Sequence, residues 1–241
     1  MPDPNGIFLS VVIPAYNEEK RLGETLHRIQ DHLKGQKYSW EIILVDDGST
    51  DGTLRVAEEN LKGSPNSQIL TRANNLGKGC SVREGVLKAR GQYILFSDAD
   101  LSTPIEELDK CFRWIGEGYD IAIGSRGLRD SEVQIPQSLP RRTMGKIFNL
   151  IVRALVFKGI RDTQCGFKLF RREPALELFR HSRLRGFGFD VEILYSARKK
   201  GYKIKEIPVV WRNFPPSRVA LLSSAAKMLF EILKLRFRNP R

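Results

Sequence analysis

The sequence predicts an α/β fold built on a doubly wound, mostly parallel sheet. In the first half, short β-rich runs alternate with longer helical patterns, the usual signature of strands joined by crossover helices. Several of the runs are nearly continuous Val, Ile and Leu, as expected of strands covered on both faces. Polar clusters follow the runs directly, and in such sheets ligands gather at the carboxyl ends of the strands.

Taken in order, the expected strands are Leu9–Ile13, Glu41–Val45, Gln68–Thr71, Tyr93–Ser97 and Asp120–Gly124, with helices near 19–34, 52–62, 78–90 and 105–117 between them. A connector bearing Pro and Arg, Val133 to Arg142, then leads to an expected helix from Thr143 to Val156. There Lys146, Asn149 and Arg153 share one side, with Ile147, Ile151 and Leu155 elsewhere on the circumference. A helix over Val191–Lys200 and a β-like Ile204–Trp211 follow. The last element expected is a helix over Val219–Phe237, with a polar stripe of Ser224, Lys227, Glu231 and Lys234. Its wide apolar face is Leu222, Leu229, Ile232, Leu233 and Phe237, and Arg236, Arg238 and Arg241 make its end basic. Both amphipathic helices fit either packing against the sheet or lying in a membrane interface, and the terminal one fits the interface better. The expected organisation is one domain over 1–215, split near residue 125, followed by a basic amphipathic segment over 216–241.

Charge separates the two halves. The chain has 241 residues and a net charge of +12, but residues 1–125 carry 14 Lys/Arg against 19 Asp/Glu, and residues 126–241 carry 26 against 9. So basic a second half suits nucleic acid, an anionic membrane surface or a phosphorylated substrate. Cys80, Cys111 and Cys165 are odd in number and lack metal-ligand spacing, which predicts reduced thiols in a cytosolic compartment. No secretory signal and no run of about 18 apolar residues is evident, so a peripheral rather than spanning encounter with a membrane is expected.

Four clusters follow strands: Pro14-Ala15-Tyr16-Asn17-Glu18, Asp46-Asp47-Gly48-Ser49-Thr50-Asp51, Asn75-Leu76-Gly77-Lys78-Gly79 and Ser97-Asp98-Ala99-Asp100. Asp98 and Asp100 are two apart in extended chain and present both carboxylates to one side. Hard oxygens at that spacing suit Mg²⁺ or Mn²⁺, with water and phosphate oxygens filling the remaining positions; a solvated turn or helix cap is the plainer alternative. A strand-end carboxylate at Asp46 or Asp47 suits ribose hydroxyls or a base N–H, or else a polar turn capped by Ser49 or Thr50. Lys78 between two glycines fits close approach to a diphosphate or a flexible helix start. Neither a Gly-x-Gly-x-x-Gly loop nor a Gly-x4-Gly-Lys-Ser/Thr loop is present, which argues against nicotinamide, flavin and P-loop chemistry.

These four motifs, in this order, resemble those of family-2 glycosyltransferases, whose fold is GT-A. The resemblance implies that Pro14, Ala15, Tyr16, Glu18, Asp46 and Asp47 hold a nucleoside. It also implies that Lys78 and Ala99 lie near the nucleotide, and that Asp98 and Asp100 are the catalytic pair holding a Mg²⁺ or Mn²⁺ on the diphosphate. Further along, Lys158-Gly159-Ile160-Arg161-Asp162-Thr163-Gln164-Cys165-Gly166-Phe167-Lys168-Leu169-Phe170, Phe189-Asp190-Val191-Glu192 and Ile207 to Trp211 are similar to dolichyl-phosphate glucosyltransferases. Dolichyl-phosphate mannose synthases share the layout but usually carry Gln where Ser102 stands. The implied reaction moves a sugar, glucose from UDP-glucose first, onto a dolichyl or polyprenyl phosphate at the cytoplasmic face of a membrane. Mannose from GDP-mannose, or transfer to a hydroxyl acceptor, are the alternatives. Arg126 matches the family arginine facing the acceptor phosphate, with Arg141, Arg142 and Lys168 as further candidates. Asp190 is expected to be structural rather than catalytic. A nucleic-acid partner is not expected, because it leaves the four strand-end motifs without a purpose.

Overall fold

In a computed structural model of the chain, the described residues are 6–64, 66–135 and 159–212, with the single positions Thr143, Gly145 and Glu231. Arg141, Arg142 and, apart from those single positions, the helices expected over 143–156 and 219–237 lie outside them. Strands and helices alternate through the first half as β1 (Leu9–Ala15), α1 (Glu19–Lys34), β2 (Trp40–Asp46), α2 (Thr53–Leu61), β3 (Gln68–Thr71), α3 (Lys78–Lys88) and β4 (Tyr93–Ser97). A 3₁₀ turn at Ile105–Glu107 enters α4 (Leu108–Gly116), which returns to β5 (Ile121–Ser125). The second half supplies β6 (Glu132–Ile135), β7 (Phe167–Arg171), α5 (Arg172–His181), α6 (Phe189–Lys199), β8 (Ile204–Pro208) and β9 (Val210–Arg212).

Seven strands form one sheet in the order β3-β2-β1-β4-β7-β5-β8. Every pairing is parallel except those of β7, which runs antiparallel between β4 and β5. Strand β6 pairs in parallel with β9 in a separate two-stranded ribbon. The run of apolar residues in β1 has a direct cause: Leu9, Val11 and Ile13 face one core and Val12 faces the other. On the first side α1 lays down Leu22, Leu26, Ile29 and Leu33, one stripe at helical spacing, all fully buried. Each such side chain contributes about 1.5–3 kcal/mol by leaving water. On the second side α3 packs Val82 and Val86 beside Phe189, Val191 and Ile193 of α6.

The sequence reading places no element between 157 and 190, where the structure has β7 and α5. A charged residue at its centre, Lys168, disguises β7 as a polar stretch, yet that side chain is buried in the sheet. Pro174 is the third residue of α5, a first-turn position where its missing N–H costs no helix bond. Strand β8 and the short β9 divide the single β-like run expected over Ile204–Trp211.

The close seat of α3 on the sheet fixes where its first residue, Lys78, stands. At Gly85 an added Cβ would lie 2.4 Å from Val12 Cγ1 and 3.1 Å from Val45 Cγ2. Gly85→Ala is therefore expected to lower stability in urea unfolding by about 1–3 kcal/mol through overpacking, despite a gain in helix propensity of about 1 kcal/mol. Unchanged or increased stability would mean that α3 does not bear on β1 so closely.

Candidate active site

The ends of β1 and β2 form one wall. Pro14 and Ala15 lie in register with Val45 and Asp46, and the Ala15 carbonyl accepts the Asp47 amide at 2.9 Å. Beyond them Tyr16 is 40% exposed, an aromatic face beside the strand ends. Asn17 turns the chain with φ +55° and ties two loops together: its amide donates to Ser49 Oγ at 2.8 Å, and its Oδ1 accepts the Thr50 amide at 2.7 Å. The Glu18 carboxylate pairs with the Arg21 guanidinium, and the Glu18 amide donates to Thr53 Oγ1 at 2.7 Å.

The two adjacent aspartates after β2 do different things. Asp46 accepts the amide and hydroxyl of Ser49, closing its own turn. Asp47 reaches further: it accepts Arg72 Nη1 at 2.9 Å, the Leu76 amide at 3.0 Å and the Gly77 amide at 2.8 Å. Both its oxygens are engaged, so it pins the 75–77 loop that leads into Lys78. Gly77, at φ +101°, has no room for a Cβ, which would meet the Arg185 carbonyl oxygen at 2.5 Å. That same carbonyl accepts the Gly79 amide at 2.7 Å, satisfying one of the open N–H groups that begin α3. The 183–185 stretch is itself held by Glu192, whose carboxylate accepts the Arg183 and Leu184 amides.

At the end of β4, Asp98 and Asp100 come together at the centre of the site. The Asp98 amide donates to the Gly166 carbonyl at 3.0 Å, and Asp98 Oδ1 lies 2.6 Å from Lys78 Nζ. That contact is a close ion pair, and it engages this buried oxygen. Asp100 Oδ1 accepts the Ser102 amide at 3.0 Å, and Oδ2 is 3.9 Å from Arg21 Nη1. Ala99 between them is buried, and its carbonyl accepts the Thr25 hydroxyl at 2.8 Å. Burial and then the Asp98 charge push the Asp100 carboxyl above its ordinary range, against the Ser102 bond and Arg21. Burial works against the Lys78 charge, but Asp98 and Asp190 outweigh it and raise its affinity for the proton. Two carboxylates close enough for the charge of one to raise the pKa of the other, in a cradle that a Cβ at Gly166 would fill, fit a hard divalent cation. Among the described residues no group of three or more His, Cys, Asp or Glu forms a complete cage. Water and phosphate oxygens suit the remaining positions of a cation held there.

On the far side, Arg126 follows β5 and is 27% exposed. Its Nε and Nη2 donate to Asp162 Oδ2 and Oδ1 at 2.6 and 2.9 Å, and its guanidinium lies 5.3 Å from the Trp211 ring centre. Burial alone would raise the Asp162 pKa, but the Arg126 charge overrides it and holds the carboxyl below the usual range. Lys168, expected as a further phosphate ligand, lies inside the fold. It is 2% exposed, and its ammonium donates to Asp190 Oδ1 at 2.5 Å and to the Cys165 carbonyl at 2.6 Å. A phosphate would reach it only by displacing Asp190, so here Lys168 braces the 162–166 loop. Burial raises the Asp190 pKa against the pull of Lys168 and Lys78.

The sequence reading quoted Asp162 and Gly166 without giving either a role. Asp162 carries a signal, an acidic residue beside Arg161 in a glycine-rich segment, but its partner is 36 residues away. Gly166 carries none: only the fold shows that a Cβ there would meet Asp98 Oδ2 at 1.9 Å.

Comparison with known proteins agrees with this geometry. Residues 10–179 match the family model described as Glycosyl transferase family 2. A protein of Dictyostelium discoideum named dolichyl-phosphate beta-glucosyltransferase is 39% identical over 97% of the chain and 75% of its own length. Proteins of the same name from Saccharomyces cerevisiae and Homo sapiens are 38% and 37% identical, over 97% and 95% of the chain and 75% of each relative. Among solved structures, glucosyl-3-phosphoglycerate synthase from Mycobacterium tuberculosis, in complex with Mn²⁺, uridine diphosphate and phosphoglyceric acid, superposes with a TM-score of 0.75. That match covers 98% of this chain and 80% of the other at 18% identity, and it establishes a shared fold of GT-A type.

Breaking the buried Arg126–Asp162 pair is expected to be costly. Asp162→Asn should lower stability near neutral pH by about 3–5 kcal/mol. Because the folded-state pKa of Asp162 is depressed, its contribution is complete above the ordinary carboxylate range and fades as pH falls through the depressed value. Urea unfolding of both proteins across acid pH should show their difference shrinking as pH drops. A gap that stays constant would mean the charge on Asp162 is not what stabilises the fold.

Proposed function

Since the chain belongs to glycosyl transferase family 2, we propose that it moves glucose from UDP-glucose onto a dolichyl or related polyprenyl phosphate, inverting the anomeric centre. The observation that carries this reading is the Asp98–Asp100 pair at the end of β4, flanked by Lys78 and backed by Gly166, in a chain 37–39% identical to proteins named dolichyl-phosphate beta-glucosyltransferase. The Mn²⁺ and uridine diphosphate named with the structural relative agree with it.

In this reading Pro14, Ala15, Tyr16, Glu18 and Asp46 line the nucleoside end, and Asp47 acts behind them by fixing the 75–77 loop. Asp98 and Asp100 hold a Mg²⁺ or Mn²⁺, which when bound supplies Lewis-acid stabilisation to the departing diphosphate. Lys78 and the backbone around Ala99 border the same phosphates. A lipid monophosphate has a second pKa of about 6 and is largely ionised at neutrality, so it attacks without surrendering a proton to a base. The residues on its side have to attract and orient it. Arg126 takes that role with its exposed edge, aimed by Asp162. Arg141 and Arg142 are offered as further phosphate ligands from the connector. Asp190, committed to Lys168, serves as a brace rather than a proton acceptor.

Among the described residues no helix is long and apolar enough to cross a membrane. The catalytic unit over 1–215 is proposed to meet the cytoplasmic face of a membrane from the side, with the basic segment over 216–241 against its headgroups.

The test is transfer of labelled glucose from UDP-glucose to dolichyl phosphate in detergent micelles. Asp98→Asn and Asp100→Asn should each lower turnover by about 10²-fold or more with the fold retained, and chelation should abolish it. Transfer that survives chelation, or that runs equally well from GDP-mannose, would contradict the assignment.

A further inference from the structure

Residues 213–241 carry six Lys or Arg and a single acidic side chain, Glu231. That one acid lies against the rim of the site. A Cβ built on Gly188 would meet Glu231 Oε2 at 2.9 Å and Glu231 Cβ at 3.8 Å. Gly188 is the residue from which α6 starts, so the carboxylate stands beside the open N–H groups and positive end of that helix. Glu231 also lines an open cavity of about 440 Å³ with Arg183, Arg185 and the 75–77 loop.

The stretch it touches, 183–188, is the one that seats Lys78. The Arg185 carbonyl accepts the Gly79 and Cys80 amides at 2.7 and 3.3 Å, and it leaves no room for a side chain at Gly77. The Phe187 ring centre is 5.7 Å from Lys78 Nζ. From inside the fold, Glu192 holds the same stretch through the Arg183 and Leu184 amides. Burial raises the Glu192 pKa against those bonds, and the Glu231 charge adds to the rise, so two carboxylates bracket one short length of chain. Arg183 and Arg185, both exposed, put positive charge on the same cavity.

We propose that Glu231 is a positioning residue for the donor site: it clamps the 183–188 loop from outside, ties the basic terminal segment to it, and so sets how firmly Lys78 is presented. The inference rests on the reading of Lys78 as a neighbour of the diphosphate, but the clamp itself does not require that reading.

Hydrogen exchange of the full chain, followed by mass spectrometry, reads the clamp directly, and thermal melting checks that each variant folds. Glu231→Gln keeps the length of the side chain and removes its charge, and a charge at a helix start is worth up to about fivefold in an equilibrium. Peptides covering residues 77–81 and 183–188 should therefore exchange about three- to fivefold faster in Glu231→Gln, with those of α1 unchanged. Glu231→Asp, which keeps the charge on a shorter stem, should show a smaller change. Glu58→Gln, which removes an exposed carboxylate from α2, should leave both stretches as in wild type. In glucose transfer, Glu231→Gln should raise the KM for UDP-glucose by a similar factor and leave the KM for dolichyl phosphate within about twofold. Exchange in these stretches that matches wild type, or that rises equally in α1, would overturn the inference. An equal rise in both KM values would do the same, since it would show no preference for the donor side. Wild type that transfers no glucose would remove the donor reading instead, and the exchange rates alone would then decide for or against the clamp.

Discussion

Negative charge concentrated at the carboxyl end of β4 is the constraint around which the rest of the site is arranged. Asp98, Asp100, Asp162 and Asp190 come from three separate stretches of chain, and buried carboxylates repel unless cations intervene. Lys78 from α3, Lys168 from β7, Arg126 after β5 and Arg21 from α1 supply those cations. Each depends on its element being close-packed: α3 on β1 through Gly85, β7 wedged between β4 and β5, the 162–166 loop against Asp98 through Gly166. The antiparallel strand is central to this arrangement. By inserting β7 beside β4, the chain delivers Lys168 and the loop before it to the edge where Asp98 stands.

The first half of the fold was legible because its strands and helices carry their burial pattern in the local sequence. Val11 and Val12 of β1 serve opposite cores, so the strand reads as an unbroken apolar run, and α1 shows one clean stripe from Leu22 to Leu33. The bounds expected for α1, β3 and β4 are those observed. Strand β7 was not legible, because the residue that would mark its buried face is a lysine whose charge is cancelled by an aspartate 22 residues away. Long-range pairing of that kind leaves no periodic trace.

The same limit separates what could and could not be read in the site. Asp98 and Asp100 are two residues apart, which points to a pair, but they stand in the turn beyond β4 rather than in extended chain, held by Gly166 and by the Ser102 amide. Asp47 and Asp46 look alike in sequence, yet one closes its own turn and the other binds a loop 29 and 30 residues on. Lys168 was expected among the phosphate ligands and is buried against Asp190, while Arg126 keeps an exposed edge although Asp162 holds its Nε and Nη2. Family membership and fold are properties of the whole chain, so they survive these local reassignments; the roles of single residues do not follow from them and rest on the contacts.

The central claim is that the strand-end carboxylates hold a sugar nucleotide through a metal. Calorimetric titration of the purified chain with UDP-glucose and with GDP-mannose, each in Mn²⁺ and in chelator, tests it most directly. The account predicts saturable binding of UDP-glucose that vanishes with chelation, and much weaker binding of GDP-mannose. Failure of both donors to bind in Mn²⁺, or binding indifferent to the chelator, would contradict it.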